Sequence, residues 1–214
     1  MFVIPQESCK FQSNLSKMFI ELKNYFSEKS VELTPDLEEL MDSCLQRKTV
    51  SKNEIIVRQG EIGKYTYFVA KGLLRSYDID ENGKEHILQF APENWLISDR
   101  SSTLLNEASE LYIDAIEDSE IILLDNIFLE KATELNPSFQ RFNLFALNNH
   151  IRQLQKRINL LIASSAEVRY LEFIRLYPSI LQRVPQWMVA SYLGITPESL
   201  SRVRKGLAKK KFIQ

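Results

Sequence analysis

Residues 186–205 read QWMVASYLGITPESLSRVRK, and this stretch decides how the rest of the chain is understood. It spells two short helices joined by a tight turn. Ala190 is the small residue where one helix crosses the other closely. Gly194, four residues on, suits a turn at positive φ, where a Cβ would cost energy. Thr196 is a good N-cap, and Pro197 fits the first helical position, where a missing N–H is no loss. Leu200, Val203 and Leu207 share one face of the second helix. Glu198, Arg202 and Lys205 share another face, suited to a DNA major groove. An ordinary amphipathic hairpin would need the apolar stripe but not the cationic outer face.

The charge distribution agrees with that reading. The chain has 214 residues and a formal net charge of −1, so its total charge points to no partner. From Ser164 to Gln214, however, nine basic residues face three acidic ones, and residues 1–163 carry a net charge of −7. An acidic body joined to a basic C-terminal module suits a sensor coupled to a DNA-binding domain. A solvated tail explains Lys209 to Lys211 but not Arg202, which lies within the helical pattern.

Composition sets aside several other chemistries. The two cysteines, Cys9 and Cys44, show no spacing of a disulfide framework, and four thiolates for an iron–sulfur cluster are not present. His86 and His150 are far apart, which argues against a zinc or non-haem iron site and against a metal-dependent barrel enzyme. No nucleophile–base pair stands at suggestive spacing. The chain is therefore expected to be no enzyme and to need no metal or cofactor. With no span-length apolar run and no secretory signal, the expected place is the cytoplasm, with no membrane partner.

Working toward the N-terminus, Leu144, Leu147, Ile151, Leu154, Ile158 and Leu161 are spaced 3,4,3,4,3. This is a heptad seam, with Leu144, Ile151 and Ile158 at a and leucine at d, which favours a parallel two-stranded coiled coil. A helix packed on its own β domain is the alternative. The polar flanks (Asn148, Asn149, Arg152, Gln155, Lys156) leave a narrow stripe, which favours a dimer helix. Ala163-Ser164-Ser165 forms a hinge, with Ser165 as N-cap of a helix over Ala166–Tyr177. Pro178 ends that helix.

Further upstream the character is β. Short runs at Glu54–Val57, Tyr65–Ala70, Leu73–Asp78, His86–Phe90, Leu111–Ile116 and Glu120–Leu124 alternate with turn signals. The turns include Gln59-Gly60-Glu61, Lys71-Gly72 and Asn82-Gly83, the last a strong hairpin signal. Such spacing indicates a sandwich or small barrel. Residues Leu15 to Gln46 read as helical, with a restart at Thr34-Pro35-Asp36, and helix returns near Pro137. Trp95, Tyr112 and Trp187 read as core anchors.

The segments IIVRQGEIGKYTYFVAKGLLRSYDIDENGKEHILQF and VPQWMVASYLGITPESLSRVRKGL, in this order around the heptad helix, resemble the catabolite activator/Fnr (Crp/Fnr) superfamily of bacterial transcription regulators. The resemblance covers about Lys48 to Phe212. It implies an α+β chain: N-terminal helices and an antiparallel β-roll of jelly-roll, cyclic-nucleotide-binding-like type (1–136), a long dimerisation helix (137–163), and a helix-turn-helix domain (164–214). It implies a dimeric, sequence-specific regulator that binds a palindromic double-stranded DNA operator and works with RNA polymerase. A sensor acting mainly through protein contacts is the alternative.

The resemblance also assigns sites. Glu198 and Arg202 match the family's base-reading positions, where a carboxylate accepts from cytosine N4 and an arginine pairs with guanine O6 and N7. Thr196, Ser199, Ser201, Arg204 and Lys205 suit the DNA backbone. Pro197 stands where some members carry a base-contacting arginine, so the family's operator sequence does not transfer. In the β-roll, cAMP-binding members carry a Gly-Glu pair and then an Arg-Ser pair. Here Ser98-Asp99 and roughly Ser109-Glu110 take those places. A carboxylate where a cyclic phosphate needs a cation repels it, and Arg100 is the only nearby cation. The expected effector pocket is Ser98, Asp99, Arg100 and Ser109, for an unknown ligand with cAMP not expected, and a purely structural β-roll is the alternative.

Overall fold

The computed structural model describes residues 19–211, so Cys9 and the helical reading at Leu15 lie outside the described residues. The chain divides into two compact units, residues 1–74 with 91–145 and residues 75–90 with 146–214.

The first unit opens with helix α1 (Ile20–Glu28) and helix α2 (Pro35–Cys44). Thr34 caps α2, its Oγ1 accepting from Leu37 N at 3.3 Å, with Pro35 at the first helical position as the sequence implies. Phe19, Leu22 and Phe26 of the α1 segment are fully buried. Phe26 packs edge-on against Phe139 and Phe142, each with ring centroids 5.4 Å away. Those two phenylalanines belong to the start of a long helix, numbered below.

Two antiparallel ladders follow. Strands β1 (Gln46–Val50), β8 (Ser119–Asp125), β3 (Tyr65–Lys71) and β6 (Leu96–Ile97) form one sheet in that order. Gln46 pairs with Leu123, Tyr67 with Leu123 on the other side, and Tyr67 with Ile97. Strand β2 (Ile55–Val57) pairs with β7 (Tyr112–Ala115). Val50, Val57, Tyr67, Val69, Ile97, Ile113, Ala115 and Ile121 meet in one core, with Trp95 packed against it. Burying such aliphatic and aromatic side chains contributes about 1.5–3 kcal/mol each before entropy is counted.

The structure corrects two readings here. Gln46 begins a strand rather than ending a helix. A short helix α3 (Arg100–Leu105) and a further helix α4 (Asn126–Leu135) precede Pro137, so helix returns earlier than expected, first at Arg100 and again at Asn126. Each is started by an aspartate N-cap: Asp99 for α3 and Asp125 for α4, whose Oδ1 accepts from Phe128 N at 2.7 Å. Asn136 then separates α4 from the long helix α5 (Pro137–Ala163), its Oδ1 accepting from Ser138 N and Phe139 N.

The second unit contains the hairpin of β4 (Leu74–Ile79) and β5 (Glu85–Ala91), the remainder of α5, and the C-terminal helices. Asp80 closes the hairpin turn, accepting from Asn82 N and Lys84 N, and Gly83 takes φ +76. Helix α6 (Ala166–Leu176) starts at the expected cap, with Ser165 Oγ accepting from Val168 N. It ends one residue before Tyr177. A 3-10 turn (Ile180–Gln182), helix α7 (Gln186–Leu193) and helix α8 (Pro197–Lys211) complete the described chain. Phe90, Phe173, Tyr177 and Tyr192 form one aromatic cluster, with Phe173 and Tyr192 centroids 5.2 Å apart. Compactness therefore groups residues 75–90 with the helices.

Candidate nucleic-acid interface and sensor cassette

The turn between α7 and α8 is built by local chemistry. Gly194 takes φ +64 and ψ 38, and closes a Schellman pattern: its N–H donates to Ser191 O, and Ile195 N–H donates to Ala190 O, each at 3.0 Å. A Cβ on Gly194 would stand 3.3 Å from Leu161 Cδ2, so the backbone approaches α5 closely. Arg169 of α6 donates to Leu193 O at 2.7 Å and ties the same turn to α6.

Helix α8 begins with a hydroxyl cap, Thr196 Oγ1 accepting from Ser199 N at 3.2 Å. Leu200 is buried, and Val203 and Leu207 are half-buried. Glu198, Ser201, Arg202, Arg204 and Lys205 are exposed. The structure thus separates the two faces as the spacing implied. Glu198's carboxyl lies below the ordinary carboxylate value: its own main-chain N–H is the first cause, then the Thr196 hydroxyl, with Arg202 adding a weaker attraction. It is a ready acceptor at neutral pH.

Three of the expected backbone contacts have internal work. Thr196 donates to Ser199 Oγ at 3.2 Å, and Arg202 Nη2 donates to the same oxygen at 3.4 Å. Arg204 Nη1 donates to Gln186 Oε1 at 2.6 Å, so it turns toward the start of α7 and away from the stripe of Glu198, Arg202 and Lys205. Trp187 is 41% exposed, so it is a surface residue and not the core anchor expected.

Of the four expected effector residues, Asp99 and Ser109 come together and close on each other. Asp99 is buried and caps α3, accepting from Ser101 N at 3.1 Å and Ser101 Oγ at 2.9 Å. Its other oxygen accepts from Ser109 Oγ at 2.8 Å. Burial alone would raise its pKa, but these hydrogen bonds outweigh that and hold the carboxyl below its ordinary value. Ser109 is itself stitched to the Gln59–Glu61 turn, through Gly60 N to Ser109 O and Ser109 N to Glu61 O, both at 2.8 Å. Gly63 N donates to Ser102 Oγ at 2.6 Å. Asp99's donors here are hydroxyls and main-chain N–H groups. Arg100 is exposed and Ser98 half-buried.

The heptad residues of α5 lie open. Leu144, Ile151, Leu154, Ile158 and Leu161 are exposed and Leu147 is half-buried. Among the described residues no group of three His, Cys, Asp or Glu side chains could hold a metal ion, and no helix is long and apolar enough to cross a membrane.

With this order of β ladders, long helix and helix-turn-helix in place, comparison with known proteins is decisive. The cyclic nucleotide-binding domain family matches residues 47–135. The regulatory protein HlyX of Actinobacillus pleuropneumoniae is 26% identical over 175 residues, 76% of this chain and 72% of that protein. The anaerobic regulatory protein of Pasteurella multocida is 23% identical over 185 residues, 81% of this chain and 67% of that protein. Over about three quarters of its length the chain is similar to regulatory proteins of the Crp/Fnr type. The structure of FixK2 from Bradyrhizobium japonicum has the same fold, with a TM-score of 0.66, 22% identity, and coverage of 78% of this chain and 86% of that one. The Thermus thermophilus catabolite activator protein gives 0.51, with 24% identity and 84% and 85% covered. An iron–sulfur cluster of the four-cysteine type does not fit this regulator: it has two cysteines, and Cys44 is half-buried and unbridged.

In the regulator's helical unit, Glu172 of α6 joins α5 by accepting from Lys156 Nζ at 2.6 Å, and it also pairs with Arg175. Arg175 first, and then Lys156, lower its pKa from 4.5 to about 2. A depressed carboxylate stabilises the fold above its unfolded value, and that contribution fades as pH falls from 4.5 toward 2. Carboxyl-carbon NMR of Glu172 should titrate near 2, and higher in Lys156→Ala. A midpoint near 4.5 in the parent protein would contradict the pairing.

Proposed function

We propose that the regulator acts as a homodimer that reads a palindromic DNA operator with Glu198 and Arg202 of α8. The observation that carries this reading is the exposed stripe of Glu198, Arg202 and Lys205 on a helix whose opposite face is turned inward, with Leu200 buried and Val203 and Leu207 half-buried. The open heptad seam of α5 supports the second copy. Ser201 and Lys205 engage the DNA backbone, with Thr196, Ser199 and Arg204 joining after release from their internal partners. Residues 1–136 serve as sensor, 137–163 as dimer helix and 164–214 as reader. The protein works in the cytoplasm beside RNA polymerase and uses no metal.

We infer that the sensor does not take cAMP. Its α3 start is already occupied by the Asp99 carboxylate, which would repel an anionic phosphate. An effector seated at the start of α3 would have to be neutral or cationic.

Duplexes selected from random DNA by the full-length protein provide the test. Arg202→Ala should lose about ten- to a hundredfold for the selected duplex, roughly 1–3 kcal/mol, while a scrambled duplex changes little. Retained discrimination in Arg202→Ala would overturn the assigned readout.

A further inference from the structure

We propose that Ser191 and Arg157 are positioning residues for DNA recognition: they clamp α7 onto the β4–β5 hairpin and so fix α8 relative to the dimer helix α5. The inference rests on the reading of the chain as a dimeric DNA-binding regulator.

The clamp is made largely to main-chain atoms. Ser191 Oγ accepts from Ile87 N at 2.9 Å and donates to Glu85 O at 3.0 Å. One hydroxyl thereby satisfies a donor and an acceptor on strand β5, as a neighbouring strand would. Arg157, from α5, donates to Ile87 O at 3.0 Å, to Leu88 O, and to Tyr192 O at 3.3 Å. Its guanidinium also lies 3.9 Å from the Tyr192 ring centroid. One side chain thus joins α5, the hairpin and α7. The planar guanidinium with its several N–H donors suits this task, and a lysine ammonium would not reproduce the geometry.

The grip continues along the same face of α7. Trp187 stands one turn before Ser191, and Arg75 of β4 lies 5.7 Å from its ring and 4.2 Å from that of Tyr77. Arg75 is buried and ion-paired with Glu85 at 2.5 Å. Phe90, near the end of the hairpin, packs against Phe173, Tyr177 and Tyr192. Meanwhile Glu198, Arg202 and Lys205 remain exposed. The docked hairpin leaves the reading face open.

A dimer must present its two reading helices about 34 Å apart to engage both half-sites. A helix-turn-helix held only through the Ala163–Ser165 segment would sample many orientations, and binding both half-sites would order them at an entropic cost. The clamp removes that freedom beforehand. Its loss therefore weakens binding to a palindrome but not to a single half-site.

The experiment compares full-length parent, Ser191→Ala, Ser191→Thr and Arg157→Gln on a selected palindrome and on its isolated half-site. Expected losses on the palindrome are about tenfold for Ser191→Ala and about a hundredfold for Arg157→Gln. Half-site affinity and salt slope should hold, and Ser191→Thr should restore the parent value. Hydrogen exchange at the Ile87 amide should speed up in Ser191→Ala. Equal losses on palindrome and half-site, or none on either, would overturn the clamp. A parent protein that selects no duplex would instead overturn the DNA-binding reading on which the clamp rests.

Discussion

Ile158→Asp is expected to weaken self-association of the regulator by about a thousandfold, roughly 4 kcal/mol. The residue lies mid-seam on α5 and is 54% exposed, with Leu154 at 47% and Ile151 at 45%. Three large aliphatic side chains on successive turns of one narrow stripe are costly to leave in water. In a parallel pair related by a two-fold axis, an a-position residue meets its own counterpart. One substitution therefore buries two like charges against each other. Sedimentation velocity across a concentration series measures the effect. Asn159→Asp, one residue on and off the seam, should leave the dimer intact. If Ile158→Asp remains dimeric at the parent's dissociation constant, the seam is not the interface. The variant also separates the dimer from the clamp: it loses the palindrome by becoming monomeric, whereas Ser191→Ala does so as a dimer.

What was legible in the sequence follows a physical boundary. Gly194, Thr196, Pro197 and Ser165 act through bonds within a few residues of themselves, so their roles could be read from spacing alone. The heptad spacing likewise places Leu144, Ile151, Leu154, Ile158 and Leu161 on an exposed stripe of α5. Strand β1 was not, because QRKTV has no apolar alternation. Its Arg47 instead pairs across to Glu21 and to Glu120, and such partners are invisible locally. Helices α3 and α4 did carry a signal, an aspartate at each start, but α3 has only six residues and no periodicity to read.

The grouping of the hairpin with the C-terminal helices was out of reach. Ser191 bonds to main-chain atoms of Glu85 and Ile87, 106 and 104 residues away, and main-chain partners leave no trace in residue identity. The sensor cassette lay between these cases. The loss of the Gly-Glu and Arg-Ser pairs was visible, and so was the electrostatic objection to a cyclic phosphate. That Asp99 spends its carboxylate on Ser101, Ser102 and Ser109 appeared only in three dimensions. Asp99 supplies a built-in anion for the donors at the start of α3.

Gly72→Ala is expected to destabilise the sensor unit by about 3–5 kcal/mol, combining strain of a residue at positive φ with overpacking. The Lys71-Gly72 pair was readable as a turn, but the requirement is stricter than that. Gly72 sits at φ +96, and a Cβ there would lie 2.8 Å from Ser119 Cα. The obstacle is backbone, so no rotamer change relieves it. The neighbourhood is also fully bonded: Gly72 N donates to Glu93 Oε1 at 3.1 Å, Leu73 N to Ser119 Oγ at 3.2 Å, and Ser119 Oγ to Glu117 O at 2.7 Å. Moving Ser119 aside would break its bonds to Leu73 N and Glu117 O and disturb the start of β8, which pairs with both β1 and β3. Urea unfolding followed by Trp95 fluorescence in a Trp187→Phe background measures the loss. Adding Ser119→Gly should recover only a part, because the Cα remains and φ stays positive. A loss below about 1 kcal/mol would mean that the turn relaxes, and that its glycine is a convenience of the loop and not a requirement of the close approach.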